Sequence, residues 1–178
     1  MDSHPLHIDL VIPVYNEMDG ILTFHSILRA SVEKLPYAFQ IYYINDGSQD
    51  RTGEILEEIA RVDQRVVIVE LSRNFGHQAA LTAGLDIANG DYVISLDGDG
   101  QHPPERIGDM LQAAILQGYD IVIMQRSADI HTQFLKNKTS NLFYQLINRI
   151  GETRIVPGAA DFRLMSHAVV QALRTMPE

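Results

Sequence analysis

The stretch Ile94-Ser95-Leu96-Asp97-Gly98-Asp99-Gly100-Gln101-His102-Pro103-Pro104-Glu105 runs an apolar strand into two aspartates one residue apart, then an amide, then a proline-started helix. Carboxylates with that spacing, on a turn at the carboxyl end of a strand, can share one divalent cation. Hard oxygen ligands suit Mg²⁺ or Mn²⁺, and such ions are commonly held by one or two carboxylates completed by substrate phosphates. Three other readings compete. An EF-hand loop counted from Asp97 needs Gly at position 6 and Glu at position 12, where this chain has His102 and Gly108. A dinucleotide fingerprint from Gly98 and Gly100 needs a third glycine where Pro103 stands. An ordinary acidic turn remains, but it would leave two like charges and no compensation.

Outward from this turn, apolar runs alternate with helical periodicities. His7–Val14, Phe39–Asn45, Val66–Leu71, Tyr92–Leu96 and Ile121–Met124 read as strands, and residues 159–165 as a short sixth. Between them, Ile21, Phe24, Ile27, Leu28, Val32 and Leu35 trace one helix face; Ile55, Leu56, Ile59 and Val62 trace a second. Gln78–Ala88 predicts a helix stopped by Asn89-Gly90, Pro103 or Pro104 opens another that runs to Gln117-Gly118, and Ser166 caps a last one over His167–Met176. Lys136–Ile150 is amphipathic, with Leu142, Phe143, Leu146, Ile147 and Ile150 on one side; a core-facing helix is favoured over a membrane or partner surface. Continuous apolar strands separated by helices predict a single α/β domain over residues 1–178, a Rossmann-like, mostly parallel sheet covered on both faces. Ligands of such sheets bind beyond the carboxyl ends of the strands. The polar clusters fall there: Asn16-Glu17, Asp46-Gly47-Ser48, Ser72-Arg73-Asn74 and Asp97-Gly98-Asp99.

Composition narrows the function. The net charge of −9 argues against non-specific nucleic-acid binding. Residues 1–120 carry 7 Lys and Arg against 19 Asp and Glu, whereas residues 121–178 carry 7 against 4, so the C-terminal third suits an anionic partner or is simply an uneven solvated surface. No run of about 18 apolar residues predicts a membrane span, and no basic region followed by an apolar stretch predicts a signal peptide. With no cysteine, disulfides and thiol chemistry are excluded, which fits a reducing cytoplasm.

Other candidate residues carry two readings each. Asp46 suits the imide N–H of a uracil or a guanine edge, and equally an Asx-turn or helix cap. Pro13, Tyr15 and Glu17 suit a base and ribose pocket, or a rigid turn. Arg73, ahead of Asn74-Phe75-Gly76-His77, has a guanidinium able to fork onto a diphosphate. His77 and His102 are candidate ligands or bases, though a lone histidine is more often a satisfied polar residue. Asp161, in Gly158-Ala159-Ala160-Asp161-Phe162-Arg163-Leu164, is a general base, an acceptor-orienting group, or half of an Asp161–Arg163 pair.

Taken together, Val11-Ile12-Pro13-Val14-Tyr15-Asn16-Glu17, Asn45-Asp46-Gly47-Ser48, Arg73-Asn74-Phe75-Gly76-His77, Asp97–Glu105 and Asp161-Phe162-Arg163-Leu164 resemble glycosyltransferase family 2, most closely its polyprenyl-phosphate branch. The resemblance implies the nucleotide-diphospho-sugar transferase (GT-A) fold, a UDP-sugar or GDP-mannose donor, and inversion at the anomeric carbon. It implies that Asp46 contacts the base beside Pro13, Tyr15 and Glu17, and that Asp97 and Asp99, with Gln101 nearby, hold Mg²⁺ or Mn²⁺ on the diphosphate. Asp161 and Arg163 match the acceptor motif, and Arg126 matches an arginine that binds the acceptor phosphate in relatives. A membrane-embedded polyprenyl phosphate at the cytoplasmic face is the implied acceptor, with amphipathic and membrane-spanning helices following the catalytic domain. The chain departs from its relatives at Val122–Asp129, where they often carry a small residue and a basic run. An acceptor that is a soluble or cell-surface glycan, and a nucleotide-sugar-binding module without turnover, are the alternatives.

Overall fold

A computed structural model describes residues 5–125 and 159–176. Contacts divide the chain into two compact units, one made of Met1–Ile123 with Asp161–Glu178 and the other of Met124–Ala160. Only the two ends of the second unit fall within the described residues. Arg126 and the amphipathic segment Lys136–Ile150 lie outside them.

In chain order the elements are β1 (His7–Val14), α1 (Ile21–Val32), β2 (Ala38–Asn45), α2 (Thr52–Val62), β3 (Val66–Glu70), α3 (His77–Ile87) and β4 (Tyr92–Ser95). Then come α4 (Ile107–Gln117), β5 (Ile121–Gln125), β6 (Ala159–Ser166) and α5 (His167–Thr175). The strands form one six-stranded sheet in the order β3-β2-β1-β4-β6-β5. β1 pairs in parallel with β2 and β4, β2 with β3 likewise, and β6 runs antiparallel to β4. The mostly parallel sheet expected from the continuous apolar runs is therefore present.

The β1 sequence explains its central place. Ile8, Leu10, Val11 and Ile12 are all fully buried, so both faces of the strand are covered. Val11 packs with Ile44, Ala80, Leu81, Val93, Met165 and Val170 in the layer built by α3 and α5. Successive side chains alternate across a strand, so Leu10 and Ile12 face the opposite layer. There α1, which buries Ile21, Phe24 and Leu28, contacts α2 and α4. Each such fully buried side chain contributes about 1.5–3 kcal/mol.

Two boundaries differ from the periodicity. The helix predicted to open at Pro103 or Pro104 starts as a 3₁₀ turn over Pro104–Arg106, and α4 proper begins at Ile107. Pro103 stays extended (φ −75°, ψ 109°), as a residue preceding another proline should. At the end of α3, Asn89-Gly90 does not make a left-handed glycine cap. Asp9, buried within β1, accepts hydrogen bonds from the Asn89 N–H (2.6 Å) and the Gly90 N–H (2.8 Å). Gly90 is required for a different reason: a Cβ there would meet the His7 and Tyr92 carbonyl oxygens at 2.9 Å. The Arg174 guanidinium of α5 donates to the Leu85 and Ala88 carbonyls, satisfying acceptors at the end of α3. Ser166 caps α5 as expected, its Oγ accepting the Val169 N–H.

Candidate functional site

The chain moves outward from β1 to β2 and β3, then crosses to β4 on the other side of β1. Such a reversal opens a crevice beyond the carboxyl ends of the strands. A cavity of about 300 Å³ sits there, lined by Pro13, Val14, Tyr15, Glu17, Asp46, Asn74, Gly76, His77, Ala80, Asp97, Gly98 and Asp99. Pro13, Tyr15, Glu17, Asp46, Asp97 and Asp99, singled out from the sequence, thus come together on one wall although up to 86 positions separate them.

The loop after β1 is stitched to the loop after β2. The Asn16 N–H donates to Ser48 Oγ (2.9 Å), the Gln49 N–H returns to Asn16 Oδ1 (2.8 Å), and the Glu17 N–H donates to Thr52 Oγ1 (2.8 Å). Asn16 adopts φ 54°, a left-handed conformation that asparagine tolerates and most residues do not. The Glu17 carbonyl then accepts from Gly20 and Ile21, starting α1. Burial, then the nearby Asp99 and Asp50 charges, push the Glu17 carboxyl above its ordinary range.

Asp46 is 3% exposed, and its carboxylate accepts the Phe75 N–H on Oδ1 (2.7 Å) and the Gly76 N–H on Oδ2 (2.9 Å). It holds the β3–α3 loop against the cavity rather than capping its own turn. That turn is made by Asn45, whose Oδ1 accepts from the Ser48 N–H (3.1 Å) and Oγ (2.5 Å) while its amide donates to Glu70. Gly47 permits the approach of the two loops. It adopts φ 64°, and a Cβ there would lie 2.4 Å from the Arg73 carbonyl carbon.

Asp97 and Asp99 leave β4 around Gly98, where a Cβ would lie 2.6 Å from Val14 Cγ1. Asp99 Oδ1 accepts the Gln101 N–H (2.9 Å), closing an Asx-turn. The Asp97 N–H donates to His102 Nδ1 (3.1 Å), and Asp97 Oδ1 stands 3.6 Å from His77 Nε2. His102 Nδ1 also lies 3.5 Å from Asp97 Oδ2, but a nitrogen that accepts the backbone N–H carries no proton to give that carboxylate. The Gln101 side chain is exposed and is not among the lining residues.

Arg73 does not line the cavity among the described residues. Its guanidinium carbon lies 4.5 Å from the Phe75 ring centroid, a cation–π arrangement on an exposed loop. Arg163 on β6 pairs with Ser95 at the last described rung of the β4 ladder. Asp161 stands two residues before Arg163 in the same strand. The Asp161 side chain is not described. Asn74 and His77 join the site without having been given a firm role from sequence; their signal was position, directly after a strand and at the first turn of α3.

The donor set fits a divalent cation in one respect. The carboxylate and basic side chains of the described lining are Glu17, Asp46, Asp97, Asp99 and His77, without a lysine or arginine, so an anionic diphosphate would enter a negative wall unless a cation came with it. Among the described residues no three His, Asp or Glu side chains close a metal cage. An ion held there would take its remaining ligands from substrate phosphate and water.

Solved structures share this fold. S. aureus TarS 1–349 in complex with UDP-GlcNAc superimposes with TM-score 0.64 over 95% of this chain and 48% of that one, at 17% identity. Mannosyl-3-phosphoglycerate synthase from Rubrobacter xylanophilus gives 0.66 over 92% and 55%, at 18% identity. A mannosyltransferase from Pyrobaculum calidifontis in complex with GDP-Man and Mn²⁺ gives 0.62 over 99% and 48%, at 16% identity. Sequence relatives are nearer. The bactoprenol glucosyl transferase of Shigella phage SfV is 42% identical over 173 residues, covering 97% of this chain and 56% of the relative. An uncharacterized glycosyltransferase of Bacillus subtilis, YkcC, is 36% identical over 99% of this chain and 54% of the relative. The chain thus spans about half the length of the curated relatives it matches. Residues 9–174 match the model of glycosyl transferase family 2, and with these relatives they show that the chain belongs to that family.

Proposed function

We propose that the chain is the catalytic domain of a metal-dependent, inverting hexosyltransferase that moves a sugar from a nucleotide diphosphate to a polyprenyl phosphate at the cytoplasmic face of a membrane. The observation that carries this reading is the cavity at the switch point, where Glu17, Asp46, Asp97 and Asp99 meet in a chain 42% identical to a bactoprenol glucosyl transferase. The donor is a UDP-sugar or GDP-mannose. Its base lies toward Pro13, Tyr15 and Asp46, and its diphosphate toward Asp97 and Asp99. Asp161, Arg163 and Arg126 serve the acceptor; among the described residues no helix is long and apolar enough to cross a membrane.

The chemistry follows from the charges. The acceptor phosphate oxygen attacks the anomeric carbon from the face opposite the leaving diphosphate, a C–O bond forms as the C–O bond to the β-phosphate breaks, and configuration inverts. A polyprenyl phosphate is already anionic near pH 7, so no strong general base is needed and Asp161 positions the acceptor. Asp97 and Asp99 would hold Mg²⁺ or Mn²⁺, which would supply neutralisation of the charge on the departing nucleotide diphosphate. The protein's own part is to hold both substrates in line and to keep the Asp97–Asp99 turn fixed.

Calorimetric titration of UDP and of GDP, each with and without Mn²⁺, tests the donor site. Tight binding of one nucleotide that is lost without metal and in Asp97→Ala is expected; metal-independent binding, or none, would refute the assignment. For the acceptor, the full-length protein should transfer sugar to undecaprenyl phosphate, with the opposite anomer in the product by NMR.

A further inference from the structure

We infer that His102 is a positioning residue for the Asp97 carboxylate, acting as a neutral imidazole that accepts the Asp97 N–H on Nδ1 and is itself held by Phe162 of the acceptor strand. The inference rests on the metal-bound nucleotide site proposed above. The last rung that joins β4 to β1 is the Leu96 N–H to the Val11 carbonyl (3.2 Å), so the Asp97 N–H has left the ladder and needs another acceptor. His102, five residues on and 3% exposed, supplies it at 3.1 Å. An imidazole that accepts on Nδ1 carries its proton on Nε2. The ring lies on Phe162, with centroids 5.4 Å apart and planes at 26°. Phe162 is 1% exposed and stands in β6 between Asp161 and Arg163.

The loop 97–102 is therefore tied at both ends. Its start hangs from the imidazole, and the Asx-turn from Asp99 to Gln101 shapes its middle. The His102 ring anchors the backbone of Asp97 at the edge of the cavity that Asp97 lines, and its stack on Phe162 ties that anchor to the strand expected to carry the acceptor. Groups that orient a metal ligand without touching the metal typically matter by about 10- to 100-fold in metal affinity.

Two substitutions separate positioning from simple packing. His102→Phe keeps an aromatic ring against Phe162 but has no acceptor. His102→Asn keeps an oxygen near the place of Nδ1 but loses the stack. The Mn²⁺ concentration that half-saturates UDP or GDP binding, whichever the wild type takes, is read by calorimetry. Expected is a rise of about 10- to 100-fold in His102→Phe, most of it recovered in His102→Asn, with melting temperatures that do not follow the same order. Equal Mn²⁺ dependence in wild type and His102→Phe, or losses that simply track stability in both variants, would overturn the inference. Long-range ¹H–¹⁵N spectra of the unmodified protein read the tautomer without any variant: a proton on Nδ1 overturns it, and a proton on Nε2 alone supports it. Absence of Mn²⁺-dependent nucleotide binding in the wild type would instead overturn the donor-site reading, and this inference with it.

Discussion

Asp46→Asn separates a residue that reads the nucleotide base from one that builds the wall of the pocket. The Asp46 carboxylate accepts two backbone N–H groups, from Phe75 at 2.7 Å and Gly76 at 2.9 Å, at a position 3% exposed. An asparagine keeps one carbonyl oxygen, so one bond survives but loses its charge assistance, at about 1 kcal/mol. Its NH₂ then faces the other N–H, leaving a buried donor unsatisfied at about 1–3 kcal/mol more. The expected loss is about 2–4 kcal/mol, which for a domain of this size lowers the melting temperature by roughly 4–16 °C. Urea unfolding of apo wild type and variant measures it, and an unchanged m-value would show that the native and denatured states keep their compactness. If Asp46 acts only on the base, apo stability is unchanged and nucleotide affinity alone falls. A stability change below about 0.5 kcal/mol, the range of an ordinary surface substitution, would refute the clamp.

Gly47→Ala should be more damaging than its size suggests. The residue sits at φ 64°, and the new methyl would meet the Arg73 and Asn74 backbone at 2.4–2.7 Å. Left-handed strain of about 1–2 kcal/mol and overpacking of about 1–3 kcal/mol together predict a loss of about 2–5 kcal/mol, and a urea midpoint equal to wild type would contradict it. His25 predicts a pH dependence near neutrality. Burial holds its pKa below the usual value, Arg65 and Arg29 act in the same direction, and Asp63 opposes them. The unfolded chain therefore takes up a proton near its ordinary pKa of about 6.5 that the folded protein resists, so stability is full above that pH and falls below it. His25→Gln should flatten the change in urea midpoint between about pH 7.5 and 5; an identical slope in both proteins would count against the burial argument. Asp63 predicts a second slope in acid. The Arg65 hydrogen bond holds its pKa down at about 2, so its contribution is fully present above the ordinary carboxyl value near 4 and is lost as pH falls from there through about 2. Asp63→Asn should remove this slope, and its persistence would assign acid unfolding to other carboxylates.

Strand and helix identities were legible in the chain because they depend on neighbours. Leu10, Val11 and Ile12 are apolar in succession, as a strand covered on both faces requires, and β1 runs over His7–Val14 as expected. The gathering of Pro13, Tyr15, Glu17, Asp46, Asp97 and Asp99 was legible too, since each follows or ends an apolar run and parallel strands bring their carboxyl ends to one edge. What each side chain does there was not. Asp46 and Asn45 are adjacent and both suit a turn, yet Asn45 makes it while Asp46 reaches 29 and 30 residues along the chain to Phe75 and Gly76. Arg73 has the charge and position of a diphosphate ligand, and its stacking on Phe75 was not legible beside them. His102 looked like a lone histidine until β6 brought Phe162 against it across 60 residues. Periodicity reports which face of an element is buried, and that is decided within a few residues. A hydrogen-bond partner is decided by strand order, by the register of β4 against β6, and by how closely a glycine lets two loops approach. Those follow from long-range packing, and only the tertiary structure supplies them.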